Sequence, residues 1–252
     1  MRNLYSENEI IEIVQKIIKS KKYNTIYPKT VENTARRCFE KYDKKHVEKK
    51  TKTALHQIWS AYYKSKPNFD DVFNDFVKNI NDGKNIKEEI IRILSFQSST
   101  RERLMIIDDF YCKIFSITGY PEIIIDHACG LNPLSIFWMG LPDNTRYFAY
   151  DIDNGLIEFL RLVIGYLGLN NIIGFQLADI FVDEFEYADI VLMLKFLPVI
   201  EQQEKGSSLE ILRKQNCRYL VVSFPIKSLS GVEKGMTGFY SKWFKNLIKD
   251  EN

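Results

Sequence analysis

Apolar residues recur at helical spacing through the first part of the chain. Between Glu7 and about Lys113 they fall on one side of a helix with 3.6 residues per turn, which predicts an all-helical segment. The first predicted helix has a broad apolar face made of Ile10, Ile11, Ile13, Val14, Ile17 and Ile18. A third helix, from about Asp43 to Tyr63, has inward apolar positions at Val47, Leu55, Ile58, Trp59 and Tyr62.

After Gly119 and Pro121 the pattern changes to short apolar runs rich in β-branched and aromatic residues. The runs read EIIID, RYFAYD, IIGFQLAD, ADIVLML and RYLVVSF, and their near-continuous apolar character is typical of parallel strands buried on both faces. Helical segments near residues 133–139, 154–167 and 198–215 separate the strands, whereas the short link from Asp179 to Ala188 predicts a reduced crossover. This alternation predicts a doubly wound α/β sheet.

Length and charge distribution both indicate two units. A chain of 252 residues can bury an α/β core and still supply a second module, so we predict a basic helical domain over residues 1–105 and an α/β domain over residues 106–252. Residues 1–66 hold sixteen Lys or Arg against seven Asp or Glu, a net charge of +9, while the remainder carries −7. Such asymmetry is expected when one unit binds a polyanion.

Several protein classes are disfavoured by the residues present. The four cysteines and three histidines are scattered without a CxxC pair, so neither a metal site nor a disulfide framework is predicted. No apolar run reaches the roughly 18 residues of a membrane span, and no GxxxxGK[ST] loop for ATP occurs. We therefore expect a cytoplasmic, monomeric protein with no metal and no membrane partner.

One face of the third predicted helix is strongly basic. It carries Lys44, Lys45, Lys49, Lys50 and Lys52. A basic face can merely keep a protein soluble, but solubility does not require so many charges of one sign, so RNA contact is the favoured interpretation.

Small and acidic residues follow the first three predicted strands, where ligands bind in doubly wound sheets. The segments are Asp126-His127-Ala128-Cys129-Gly130-Leu131-Asn132-Pro133, Asp151-Ile152-Asp153 and Ala178-Asp179-Ile180. The small residues of the first segment let backbone N–H groups approach a ligand closely. Asp151 can accept hydrogen bonds from ribose hydroxyls, and Asp179 can accept one from the edge of an adenine. Each acid alone could be an ordinary helix N-cap. Together, in this order, they favour S-adenosylmethionine over a dinucleotide or a nucleoside triphosphate.

A more specific signal comes from segments spread over nearly the whole chain. They are Leu55–Trp59, Ser98–Arg103, Cys129–Pro133, Leu194–Pro198 and Ser223–Gly231. In order and spacing they resemble the aminoglycoside-resistance 16S rRNA methyltransferases of the Arm/Rmt type. The resemblance implies a Rossmann-like class I methyltransferase that uses S-adenosylmethionine, with an N-terminal helical domain. It also implies methylation of guanine N7 in the decoding-site helix of the small ribosomal subunit, which prevents 4,6-disubstituted deoxystreptamine aminoglycosides from binding.

The same resemblance implies roles for individual residues. Arg103 would meet the methionine carboxylate, Asp151 the ribose and Asp179 the adenine. The full set for the cofactor is Arg103, Ala128, Gly130, Asp151, Ile152, Asp179, Ile180 and Leu194. The set that would face the guanine is Lys195, Ser223, Phe224 and Lys227, and Lys234 would approach RNA from the loop Ser228–Met236. Each has a plain alternative: Lys195 can snorkel at a strand end, Phe224 can pack in the core, and the loop can be an ordinary surface loop.

Three features depart from the family pattern. The first glycine of the cofactor turn is Ala128 here, which is costly if the turn requires a positive φ. A histidine that often precedes the Ser98 segment is replaced by Gln97, with the expected loss of a polar contact. The sequence ends at Asn252, where family members continue into a β-hairpin, so the C-terminal hairpin is expected to be missing and the fifth strand to have an uncovered edge.

Two other interpretations stay open on the sequence. A non-catalytic RNA-binding relative that retains the fold would explain Ala128 and the missing hairpin. An enzyme of the same chemistry could instead methylate an adenine N1 in the same rRNA region, although the segment SFPIKSLSG favours guanine N7.

Overall fold

The computed structural model describes residues 5–60, 66–170, 172–226 and 236–251. The helices that precede the sheet are α1 (Glu7–Ile18), α2 (Pro28–Lys41), α3 (Lys44–Ser60), α4 (Phe69–Asn81), α5 (Ile86–Leu94), α6 (Ser98–Arg101) and α7 (Ile107–Thr118). The strands are β1 (Ile123–His127), β2 (Arg146–Asp151), β3 (Ile173–Leu177), β4 (Ala188–Leu194) and β5 (Cys217–Ser223). The helices within or after the sheet are α8 (Asn154–Tyr166), α9 (Leu197–Gln203), α10 (Ser208–Arg213) and α11 (Met236–Leu247).

The five strands form one parallel sheet in the order β3-β2-β1-β4-β5. Ile125 of β1 pairs with Phe148 on one side and Val191 on the other, which places β1 at the centre. The strand order reverses between β1 and β4, and ligands bind at such a reversal in doubly wound sheets. The prediction of five parallel strands is confirmed, as is the Rossmann-like fold.

The connections between strands are less regular than the sequence predicts. Helix α8 matches its prediction, but the segment after β1 is a 3-10 helix over Asn132–Trp138. The predicted helix over residues 198–215 is divided into α9 and α10, with Gly206 between them at a φ of 89°. The link from β3 to β4 contains no helix and is the reduced crossover that was predicted.

The helices at the start of the chain have clear local causes. Ser6 and Glu9 form a capping box that begins α1, because each side chain accepts a hydrogen bond from the backbone N–H of the other. Pro28 stands at the first turn of α2, where its missing N–H costs nothing. In α1 the prediction for Ile11 is wrong: it is 49% exposed. Helix α1 buries Ile10 and Ile17 against α2 and α3, and Ile11 lies about 100° around the helix from Ile10.

Buried side chains divide the helices into two groups. Helices α1–α3, called the helical group below, form their own small clusters, one around Ile17 and Leu55 and one around Phe39 and Val47. Helices α4, α5 and α7 instead share one large cluster with the sheet. The domain limits at residues 105 and 106 stay a prediction, and the packing leads us to propose a boundary before Phe69.

The two groups are joined by backbone hydrogen bonds beside β2. Tyr27 N donates to Ile152 O at 2.7 Å, and Asn154 N donates to Thr25 O at 2.7 Å. These bonds flank an antiparallel bridge between Ile26 and Asp153. The loop that follows β2 is therefore held by the helical part of the chain.

Strands β3 and β5 are the two edge strands of the sheet within the described residues, and β5 is the one nearer the end of the chain. Helix α11 packs its aromatic side chains near the end of this strand, where Trp243 and Phe244 contact the cluster on one face of the sheet. The absence of the C-terminal hairpin of the family stays a prediction. No helix of that part is long and apolar enough to cross a membrane.

Candidate active site

A cleft opens at the carboxyl ends of the strands, where the strand order reverses. Residues from the ends of all three strands predicted to contact the cofactor line it: Ala128 after β1, Asp151 and Ile152 at the end of β2, and Asp179 and Ile180 after β3, together with Leu194 of β4. Thr30 of α2 and Ile58 of α3 close one side, so the helical group forms part of the wall. Arg103 and Gly130 stand next to the cleft without lining it.

The turn after β1 has two residues in the left-handed region. Ala128 has a φ of 49° and Gly130 a φ of 51°. The costly case foreseen for Ala128 is therefore the one observed. At Gly130 the positive φ favours glycine, and a Cβ there would displace the Gln97 amide from its present place.

Gln97 holds this turn. Its Oε1 accepts a hydrogen bond from the Leu131 N–H at 2.9 Å, and the side chain is buried. The expected loss of a polar contact at position 97 is therefore wrong, because the amide is long enough to reach the backbone.

Asp151 accepts backbone hydrogen bonds on both oxygens. Gly130 N donates to Oδ2 at 3.1 Å and Asp153 N donates to Oδ1 at 3.0 Å. Burial, and then the neighbouring Asp153 carboxylate, raises the pKa of Asp151 to about 6. Asp153 has a different function: it caps α8 through Gly155 N and forms an ion pair with Lys66 at 2.6 Å.

Asp179 is buried where the turn after β3 lines the cleft, and burial raises its pKa. Its Oδ1 accepts from Phe181 N at 3.0 Å. The Arg37 guanidinium of α2 lies 4.8 Å from the centre of the Phe181 ring. Through Arg37 the helical group covers the outer face of this turn.

Arg103 is buried next to the turn and has an unsatisfied donor. Its Nη2 donates to Asn132 Oδ1 at 2.6 Å, while Nη1 is buried and has no hydrogen-bond partner among the described residues. A buried guanidinium N–H without an acceptor is costly. A bound carboxylate would satisfy it, so the residues present fit a ligand with an amino-acid end.

Lys195 and Ser223 lie side by side at the ends of β4 and β5. Lys195 has a φ of 61°, and its N–H donates to Ser223 O at 2.9 Å and to Ser223 Oγ at 3.1 Å. The Lys195 ammonium forms an ion pair with Glu102. Burial lowers the pKa of Lys195, and Glu102 opposes that shift. The structure thus brings two of the predicted guanine-facing residues together, and adds Glu102.

Phe224 packs among aromatic residues of α11. Its ring is stacked on Tyr240 with centroids 5.3 Å apart, and it meets Trp243 edge-on at 6.0 Å. These contacts agree with the core-packing alternative for Phe224, and its contact with a base stays a prediction. Lys227 and Lys234 lie outside the described residues.

On the basic face of α3, Lys44, Lys45, Lys49 and Lys50 are exposed as predicted, whereas Lys52 is half-buried. Val47, Leu55 and Ile58 are buried beneath it, whereas Trp59 and Tyr62 have side chains outside the described set. Lys44 forms an ion pair with Glu9, and Lys52 forms one with Glu48. A shallow groove on this face is lined by Lys22, Tyr23, Lys45, Glu48, Lys49, Lys52, Thr53 and His56.

The sequence matches the family model described as ribosomal RNA methyltransferase (FmrO) over residues 19–251. This chain belongs to that methyltransferase family. The match includes helices α2 and α3 and the whole sheet, and it begins just after α1. No cluster of three or more His, Cys, Asp or Glu residues that could hold a metal ion occurs in the described part of this methyltransferase.

Curated relatives of this methyltransferase match it over nearly its full length. A 16S rRNA (guanine(1405)-N(7))-methyltransferase of Micromonospora echinospora is 36% identical, and the alignment covers 98% of this chain and 91% of the relative. One of the same description from Proteus mirabilis is 32% identical, with 96% and 90% covered.

Solved structures agree with these relatives. The 16S rRNA methyltransferase RmtF in complex with S-adenosyl-L-homocysteine aligns with a TM-score of 0.79 at 27% identity, covering 96% of this chain and 91% of that one. The 16S rRNA methylase RmtB aligns with a TM-score of 0.76 at 27% identity, covering 96% and 90%. The fold is thus that of rRNA methyltransferases in both its helical and its sheet parts.

Proposed function

We propose that this methyltransferase uses S-adenosylmethionine to methylate N7 of a guanine in 16S rRNA of the small ribosomal subunit, the position named in the descriptions of its relatives. Binding of this cofactor is supported by one observation: the cleft has Asp151 and Asp179 on its wall and the unsatisfied Arg103 Nη1 beside it. Both ends of the cofactor would have a partner here. The adenosine would lie along the strand ends and the methionine carboxylate would satisfy Arg103.

The residues of the cleft fit a reaction that needs no general base. S-adenosylmethionine, when bound, supplies a methyl group activated on a sulfonium. Guanine N7 carries no proton and is itself the nucleophile, so the protein has mainly to hold and align the base. Backbone N–H groups in and beside the cleft donate hydrogen bonds to Asp151 and Asp179, which suits ligand binding better than proton transfer.

Lys195 and Ser223 are proposed to hold the target base. N7 lies on the major-groove edge, which side chains cannot reach in an A-form duplex, so the base has to be extruded into the site. The Lys195 ammonium could then donate a hydrogen bond to guanine O6. Phe224 and Lys227 complete the proposed set, with Phe224 offering a ring edge or face once Tyr240 shifts.

The basic face of α3 is proposed to bind the phosphates of the same rRNA. Positive charge on one surface supplies affinity without sequence specificity, and base contacts in the cleft would supply the choice of nucleotide. By the family resemblance, the modified subunit would no longer bind 4,6-disubstituted deoxystreptamine aminoglycosides. We propose that the protein acts in the cytoplasm, where its substrate is found.

The test is transfer of labelled methyl groups from S-adenosylmethionine to purified small subunits, followed by aniline-induced scission at N7-methylguanine. One cleavage in the decoding-site helix is expected. Subunits from a strain already modified at this guanine are the control and should accept no label. Label without aniline cleavage would indicate another atom, such as an adenine N1. No label from folded protein that binds the cofactor would favour an inactive RNA-binding relative.

A further inference from the structure

Arg103 belongs to a buried hydrogen-bond network that the sequence did not reveal. The network joins it to Asn132, Tyr111, Asp126 and Tyr147, all of which are nearly inaccessible to solvent. Asn132 is at its centre. Its Oδ1 accepts from Arg103 Nη2 at 2.6 Å and from the Tyr111 hydroxyl at 2.7 Å. Its Nδ2 donates to Asp126 Oδ2 at 2.9 Å and lies 3.2 Å from the Tyr147 hydroxyl.

These contacts allow one orientation of the Asn132 amide. The guanidinium and the Tyr111 hydroxyl can both donate, so the side facing them has to be the oxygen. The opposite side faces the Asp126 carboxylate, which also accepts from the Tyr147 hydroxyl at 2.6 Å. A flipped amide would point its N–H groups at the N–H groups of Arg103. The network therefore determines the orientation of Asn132, and Asn132 in turn holds one N–H of the guanidinium.

Asn132 also separates the Arg103 guanidinium from the Asp126 carboxyl group. Arg103 is close enough to Asp126 to lower the pKa of that carboxyl, against the larger effect of burial. If the amide were removed, the guanidinium would be free to turn towards the Asp126 carboxyl group, whose oxygens could accept the hydrogen bond that Asn132 now accepts. That movement would carry Nη1 away from its present direction.

We propose that Asn132 is a positioning residue that keeps Arg103 Nη1 available for the methionine carboxylate of the cofactor, held in turn by Tyr111 and the Asp126–Tyr147 pair. The proposal rests on the proposed function, in which Arg103 meets that carboxylate. Asn132 itself does not touch the reacting atoms. It acts on the amino-acid end of the cofactor and leaves the adenosine end to Asp151 and Asp179.

The experiment compares two ligands that differ in this end. S-adenosylhomocysteine carries the amino-acid group, and 5′-deoxy-5′-methylthioadenosine lacks it. Calorimetric affinities are measured for the wild-type chain, Asn132→Leu, Tyr111→Phe and the control Asn144→Leu, an exposed position. For Asn132→Leu we expect S-adenosylhomocysteine to bind on the order of tenfold to a hundredfold more weakly. Methylthioadenosine affinity should change by less than about twofold.

Tyr111→Phe keeps the ring and removes a single donor to Asn132, so it serves if Asn132→Leu does not fold. A loss of about threefold to tenfold for S-adenosylhomocysteine alone is expected. Equal weakening of both ligands, or unchanged binding of S-adenosylhomocysteine, would overturn the proposal. A wild-type chain that bound neither ligand would overturn the proposed function itself, so the two failures are distinguishable.

Discussion

Ala128 and Lys195 have positive φ angles, 49° and 61°, in a region that residues with a Cβ seldom adopt. Each directly follows a strand at the end where the cleft opens. Strained backbone persists only where the surroundings over-determine it, and it tends to gather at ligand sites. The strain at these two positions therefore agrees with the place assigned to the cofactor and the target base.

At position 128 the strain can be removed without adding atoms. Ala128→Gly is expected to increase the free energy of unfolding by up to about 1 kcal/mol, because glycine tolerates this φ. In a chain of this size that corresponds to an increase in Tm of about 2–4 °C. Ala54→Gly in α3 is the control and should destabilise by roughly 0.5–1 kcal/mol. Equal destabilisation in both variants, measured by thermal unfolding, would contradict strain at Ala128.

Glu102 favours the protonated form of Lys195. Glu102→Gln keeps the shape and removes the charge that raises the Lys195 pKa, so the pKa falls further below the ordinary lysine value. The lysine then loses its proton at lower pH. The alkaline limb of kcat/KM for methyl transfer should move to lower pH, measured against Glu158→Gln at an exposed surface ion pair with Arg161. An unmoved limb would argue against a role for protonated Lys195.

Single residues show where sequence reasoning stops. The places of Asp151, Asp179 and Lys195 could be predicted because each lies at the end of a recognisable strand or within two residues after it. Asn132 could not, since its partners Arg103 and Tyr111 are 29 and 21 positions away and meet it only after folding. The same holds for Gln97, which contacts Leu131 across 34 positions.

Elements followed their sequence patterns where burial was two-sided. Strands β1 and β4 are buried almost throughout, as their apolar runs predict. The edge strands β3 and β5 are parallel as predicted, but they are mostly half-buried instead of buried on both faces. The crossovers were less predictable. The positive φ of Gly206 divides a helix that the apolar spacing alone would allow, and the segment after β1 is a 3-10 helix although Pro133 at its first turn is compatible with an α-helix. Local backbone chemistry decided the form of each connection.

The basic face of α3 gives a prediction at the scale of one helix. Lys49→Glu with Lys50→Glu should weaken binding to the small subunit and lower the slope of log affinity against log salt by on the order of one unit for each lysine lost. Affinity for S-adenosylhomocysteine should be unchanged. Lys84→Glu with Lys87→Glu makes the same charge change at the α4–α5 connection and is the control. Equal loss in both pairs would indicate general electrostatics instead of a defined RNA surface.

Across the whole molecule, stability should depend on pH through Asp126. Burial raises the pKa of this carboxyl to about 7 from an ordinary value of 3.8, so the folded state holds a proton that the unfolded state releases. The free energy of unfolding of the wild-type chain, relative to Asp126→Asn, should therefore decrease as pH rises from about 4 to about 7, by at most about 1.4 kcal/mol per pH unit. Denaturant unfolding at several pH values measures this difference.

His127 acts in the opposite direction, since burial lowers its pKa to about 4. His127 is present in both the wild type and Asp126→Asn, so its contribution cancels in the difference between their free energies of unfolding. Asp143→Asn, at an exposed site, should run parallel to the wild type. A difference between wild type and Asp126→Asn that did not vary with pH would show that Asp126 is ionised equally in both states.

The backbone bonds between residues 25–27 and 152–154 bear on the order of events during heating. Helices α1–α3 have small clusters of their own, and such units open before a large shared core does. When they open, the bonds from Tyr27 and Thr25 break, and the loop behind Asp151 loses its support. On warming, the cleft would thus lose affinity for a ligand at Asp151 while the sheet is still folded. Conversely, a ligand at saturating concentration stabilises the folded state, so the opening of helices α1–α3 requires a higher temperature.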